Sequence, residues 1–165
     1  MAELTNLESK LGEVTGLAMA AKATTARVST LAKKADRGDL VDSLGQMHSE
    51  ADETETRCTQ LAGELDGKKT AILDEARETK SKAAEMLKIY LDDDSDVLDG
   101  YEFLVMAEAG EVGHWRVLQQ LASSARRQDV VELVDWALPI QERHFKSATG
   151  TSERLAAAED PNGSG

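Results

Sequence analysis

The chain has 165 residues and a formal net charge of −12, with aromatic residues at 4%, 12 glycines and 2 prolines. That length suits one domain with a real core, and the surplus of acid repels phosphate backbones, which excludes nucleic acid as a direct partner. No apolar run approaches the roughly 18–20 residues that a membrane span needs, and the single cysteine, Cys58, excludes an intramolecular disulfide framework.

Val and Ile nowhere alternate with polar residues, and Ala, Leu, Glu, Lys and Asp abound, so an all-α fold is predicted. The opening MAELTNLESK has neither the basic nor the apolar region of a secretory signal, and a cytoplasmic location is expected. The first helix is predicted over residues 5–35. Thr5 and Glu8 have the spacing of a capping box, and an apolar stripe runs from Leu7 through Leu11, Val14, Ala21, Thr24 and Val28 to Leu31. DRGD (36–39) breaks it, and Asp39 is placed to cap a second helix whose stripe runs from Leu40 to Leu65. LDGKK (65–69) is a turn. A third helix follows over 69–90, with Ile72, Ala76, Thr79, Ala83, Met86 and Tyr90 on one face. LDDDSD (91–96) is a turn whose acids suit the positive end of a fourth helix, predicted over 97–124. Asp129 and Glu132 form another possible capping box for the last helix, over 130–155. One domain is expected over residues 1–158, with 159–165 a disordered polar tail.

Helices of about 28 residues reach roughly 40 Å. Turns of three or four residues join the first two and the last two, so each pair is an antiparallel hairpin. The third helix then carries the chain back along the bundle, and the second and fourth helices run parallel. Two antiparallel hairpins joined by a long crossover that contains an extra helix is the connectivity of ferritin-like four-helix bundles. Leu98, Val105 and Val112 form a second apolar stripe on the fourth helix. It needs a cover, from the crossover helix or from a second copy, and a homodimer is expected.

The stripe of the fourth helix runs Val97, Tyr101, Leu104, Glu108, Glu111, Trp115, Leu118, Ala122. Two carboxylates stand where leucines belong. Counting outward from the turn near residue 126 sets Glu111 opposite Gln141, and Glu108 opposite His144. The last helix's stripe is Val131, Val134, Leu138, Gln141, Phe145 and Ala148, with His144 at its edge. A polar slab between apolar slabs follows. An unpaired carboxylate there costs several kcal/mol or takes up a proton. A metal ion is one compensation. Ion pairing with Lys22 or Arg143, or hydrogen bonding to Gln141 and Thr24, is another. Di-iron bundles use two lone Glu and two Glu-x-x-His. Glu111-Val-Gly-His114 has that spelling, Gln141-Glu-Arg-His144 is its glutamine variant, and Gly45-Gln-Met-His48 keeps only the histidine. Trp115, Trp136 and Cys58 read as packing residues. Pro139 removes one backbone bond inside the last helix, producing either a kink beside the polar slab or a bend without a role.

HSEADETETRCTQLAGELDGKKTAILDEA (48–76), MAEAGEVGHWRVLQQLA (106–122) and LVDWALPIQERHFKSA (133–148) resemble the YciE/YciF-type ferritin-like proteins, a bacterial stress-associated family. The resemblance covers about residues 17–148. It implies a closed α-bundle, often dimeric, with a potential two-metal site, and sets Gln141 and Glu142 on a paired-Glu position. The family's acid on the first helix falls at Ala21 in this chain, and the second helix offers His48, Asp52 and Glu55 without a Glu-x-x-His. The expected metal ligands are therefore Glu108, Glu111 and His144, completed by Glu55, His48 and Glu142, around iron or another divalent metal. With iron, the chemistry would be oxidation of Fe(II) by dioxygen or peroxide. The competing expectation is a non-catalytic helical dimerisation or adaptor module that has lost the metal.

Overall fold

Helix α1 (Asn6–Lys34) begins where the capping box places it: the Thr5 hydroxyl accepts the Glu8 N–H, and the Glu8 carboxylate accepts the Thr5 N–H at 2.8 Å. It is followed by α2 (Gly38–Glu64), α3 (Lys69–Tyr90), α4 (Val97–Ala125) and α5 (Gln128–Ala156). These five helices, with no strand among the described residues, make up the computed structural model, which describes residues 2–163. None is long and apolar enough to cross a membrane.

The starts of α2 and α5 depart from expectation. Neither Asp39 nor Asp129 supplies an N-cap of the predicted kind, and no Asp129–Glu132 box forms. Each Asp instead pairs with the Arg two residues before it, Arg37 and Arg127. The two hairpin turns are built alike. Asp36 and Arg126 both sit in the left-handed region at φ 55, and the next N–H reaches back to Ala32 and Ala122 respectively. The arginine–aspartate pair then closes the turn from outside. Helix α4 starts on a true capping box, Asp96 with Asp99.

Helix α1 packs against α2, α3 and α4, α4 against α5, and α2 against α5. Helices α2 and α4 lie diagonally and run parallel. Their first turns share one apolar cluster, with Leu40 and Leu44 joining Tyr101 and Leu104. Their last turns share another, with Cys58 and Leu61 joining Trp115 and Leu118. The expected pair of hairpins joined by a crossover helix is therefore present.

Helix α3 runs alongside α1 in the same direction. The approach is backbone to backbone: a methyl added at Gly16 would sit 2.3 Å from the Ala76 carbonyl oxygen, and one at Gly12 2.8 Å from that of Ile72. The row continues at Ala20 and Thr24, so side chains grow along α1 as α3 leans away. Ala71, Ile72 and Ala76 are buried, Thr79 and Ala83 half-buried, and Met86 and Tyr90 exposed. The apolar stripe expected along all of α3 is thus covered only in its first half.

Helix α5 buries a seam of Val130, Val134, Ala137, Gln141, His144, Ala148, Thr151 and Leu155, with Leu133 buried beside it. This seam shares Val134, Gln141 and Ala148 with the predicted one but alternates with Ala137, His144 and Thr151 instead of Leu138 and Phe145. Both sets have a repeat of about 3.5 residues. The smaller side chains let α5 approach its neighbours closely, and Leu138 and Phe145 become half-buried margins. Pro139 lies on the exposed face, and α5 runs through it unbroken. Residues Asp160–Gly163 form exposed turns. The remainder of the expected tail, residues 164 and 165, lies outside the described residues.

Candidate functional site

Two apolar clusters fill the bundle. One surrounds Leu11, Cys58, Trp115 and Val134, and the other Val28, Leu44, Leu104 and Ala148. Between them lies the polar layer, in which Glu108, Glu111, Gln141 and His144 are 1%, 3%, 1% and 4% exposed. Their burial follows from position: α4 and α5 face each other on matched seams, so polar residues on those seams are turned into the bundle.

His144 organises the layer. Its Nε2 lies 2.5 Å from Glu50 Oε2, and its Nδ1 lies 3.7 Å from Glu108 Oε2. Glu50, on α2, also receives Arg143 at 2.6 Å and so connects the layer to the surface. Burial disfavours charge on the imidazole, but the Glu108 and Glu50 carboxylates outweigh it and raise the His144 pKa. Burial, and then the neighbouring Glu108 carboxylate, pushes Glu111 well above the usual carboxylic range. Glu111 therefore holds its proton to a higher pH than an ordinary carboxyl does, and His144 to a higher pH than an ordinary imidazole. Glu108 Oε2, Glu111 Oε2, Gln141 Oε1 and Trp115 Nε1 are buried without a hydrogen-bond partner.

The other expected ligands lie elsewhere. Glu55 turns to Lys22, with Nζ–Oε2 at 2.5 Å, and Lys22 also holds Asp52 at 2.9 Å. Lys22 thus neutralises α2 rather than the buried pair. His48 is exposed, with Nδ1 3.1 Å from the Lys22 carbonyl oxygen. Glu142 is exposed and bound to Arg116 at 2.8 Å. His114 is half-buried and meets Glu13 at 3.0 Å. Thr24 and Thr54, which face the layer, bond to the Ala20 and Glu50 carbonyls of their own helices. They offer no proton to the carboxylates, so the expected hydrogen bond from Thr24 is not formed.

A two-iron centre draws acids from all four bundle helices. At this level α1 and α2 present Ala21, Thr24, Ala51 and Thr54, all buried. The acids come from α4, with Glu50 at the rim, and α5 supplies Gln141 and His144. Among the described residues no group of three or more His, Cys, Asp or Glu is spaced to hold an ion. The donor set does not fit a two-metal centre.

On its α1 side the layer adjoins a cavity of about 230 Å³ between α1, α3 and α4. It exists because α3 leans away from α1 and because Ala20, Ala21, Ala83, Ala107 and Gly110 line it with almost no side chain. Glu108 and Glu111 are the only acidic residues on its wall.

Glu50 and this cavity were not foreseen. Glu50 lies just off the α2 stripe, and its partner His144 belongs to a helix reached only across the bundle, where counting from a turn gives no alignment. Comparison of the chain with protein-family models, with curated proteins and with solved structures gives no match.

Proposed function

We propose that the chain is a ferritin-like bundle that works without a redox metal, as a non-catalytic binding module whose core layer balances its own charge. The ferritin-like assignment is supported by the two hairpins, the long crossover and the resemblance of three stretches of sequence to the YciE/YciF-type family. The observation that carries the functional reading is the chain Glu50–His144–Glu108: the buried imidazole already has a carboxylate on each side. A protonated Glu111 leaves the layer with no uncompensated charge. Replacing Glu111 by leucine is then expected to be neutral, or stabilising by about 1–4 kcal/mol, because a desolvated polar group gives way to an apolar one of similar shape. Thermal melts of wild type and Glu111→Leu, with and without chelator, together with elemental analysis of protein purified without added metal, test this. Two ions per chain, or a stability loss in Glu111→Leu that chelator reproduces in the wild type, would overturn the reading.

The second reading is a single divalent cation held weakly by the Glu108 and Glu111 carboxylates alone, with His144 left to Glu50. It is favoured by the two carboxylate oxygens without partners, and the same elemental analysis detects it as one ion per chain. A homodimer belongs to the same proposal. Helix α3 covers α1 and leaves Leu98, Val105 and Val112 half-buried on α4.

A further inference from the structure

The cavity between α1, α3 and α4 combines two features that rarely meet. Its walls are nearly all apolar, and Leu17, Ala20, Ala83 and Met86 are among them. Its inner side carries Glu108 and Glu111, almost wholly buried; neither Oε2 accepts a hydrogen bond, that of Glu108 lying 3.7 Å from His144 Nδ1 and that of Glu111 having no partner. The mouth is marked by Met86 and Met106, 45% and 37% exposed, which are flexible side chains suited to closing over a guest. No lysine or arginine lines the cavity, and His114 at its edge is engaged by Glu13 and Lys10.

We propose that this cavity binds a small organic amine, which takes the Glu111 proton as it enters, so that its ammonium nitrogen is set against the Glu111 carboxylate beside Glu108 and its apolar body against the alanines and methionines. Each alternative class fails on a feature of the wall. A neutral hydrocarbon fits the volume, since a dry cavity of about 150 Å³ takes benzene, but it leaves both carboxyl oxygens without partners. An organic acid meets two carboxyl groups at close range. A bare divalent cation entering from this side finds two oxygen donors and then hydrocarbon, whereas it needs a fuller polar shell. A polyamine would bury a second charge against Leu17 and Ala83. A monoamine gives N–H donors to the acids and methylenes to the rest. The inference rests on the reading of the layer as free of a tightly held metal.

The test uses the full chain, stripped with chelator and checked for metal, titrated calorimetrically with three probes of one shape: phenethylamine, propylbenzene and hydrocinnamate. Phenethylamine is expected to saturate one site per chain. Propylbenzene and hydrocinnamate are each expected to bind at least about tenfold more weakly. Glu111→Gln should weaken phenethylamine at least about tenfold while leaving propylbenzene unchanged. Ala83→Leu, which fills the cavity without touching the acids, should remove binding of both, so the outcome does not depend on one variant folding. Equal binding of amine and hydrocarbon, or no saturable amine binding by the folded, metal-free chain, would overturn the inference. Neither result bears on the metal-free reading, which is tested separately by the ion count of the untreated protein and the melts with chelator.

Discussion

Glu111 and His144 make stability depend on pH in the same direction. The Glu111 carboxyl keeps its proton in the folded chain to a higher pH than in the unfolded chain, where it ionises near 4.5. As pH rises past that value the unfolded state loses protons first, and stability falls. His144, raised above 6.5, contributes stability that is complete below about that pH and lost as pH climbs through its folded value. Glu50 acts oppositely. Burial works against its charge, but Gln46, His144 and Arg143 lower its pKa, so its contribution is present above 4.5 and lost in acid. Stability should therefore be greatest in mild acid and decline through neutral pH. In Glu111→Gln the decline between about pH 5 and 8 should be shallower, because the neutral amide no longer titrates. Urea unfolding at a series of pH values measures this, and identical slopes for the two proteins would refute it. The buried pair itself was legible in the sequence, because residues 108 and 111 stand on an otherwise apolar stripe. The partners were not: Glu50, and the diversion of Lys22 to Glu55, depend on how one hairpin lies across the other.

Two features of the helices invite single substitutions. Arg126 ends α4 with a left-handed backbone, which costs a residue bearing a Cβ about 1 kcal/mol relative to glycine. Among the described residues Arg126 finds no side-chain hydrogen-bond or ion-pair partner, unlike Arg127 beside it, which holds Asp129. Arg126→Gly is accordingly expected to raise stability by about 0.5–1 kcal/mol, visible as a melting temperature higher by roughly 1–4 °C. Gly16→Ala should do the reverse. Its methyl would stand 2.3 Å from the Ala76 carbonyl oxygen, so α1 and α3 must separate, at about 1–3 kcal/mol. A Gly16→Ala protein that melts with the wild type would show that α3 is not held by this contact. The order of the helices and the start of α1 were legible because turn clusters and the Thr5–Glu8 box are local signals, whereas Asp39 and Asp129, which read as caps, are taken by Arg37 and Arg127. The seam of α5 was ambiguous for a physical reason: two apolar sets with the same repeat share three residues, and only close packing selects the smaller set. The burial of α1 on several sides likewise blurs its stripe, since α2, α3 and α4 each claim a face.

For the whole molecule, the bundle order and the polar layer between two apolar clusters could be read from helix lengths and loop lengths. The leaning of α3 could not, because alanine-rich stripes read the same whether a neighbour touches them or not. Sedimentation at high micromolar concentration is expected to give twice the mass of one chain, through the stripe of Leu98, Val105 and Val112. A monomer at that concentration would assign those half-buried side chains to the margin of a single bundle.

The paired glycines of α1 also act as a ruler. They are spaced one helical turn apart, and each admits one carbonyl of α3, those of Ile72 and Ala76. With those carbonyls seated, α3 cannot slide by part of a turn without lifting off α1, so its axial settings are limited to ones a turn apart. The setting it takes fixes the height at which LDDDSD hands the chain to α4, and α4 carries its two acids a fixed number of turns further on. Two residues with no side chain, on a different helix, thus bear on the height at which the α4–α5 hairpin, whose own turn already sets Glu108 and Glu111 against His144 and Gln141, meets Ala21 and Thr24 of α1.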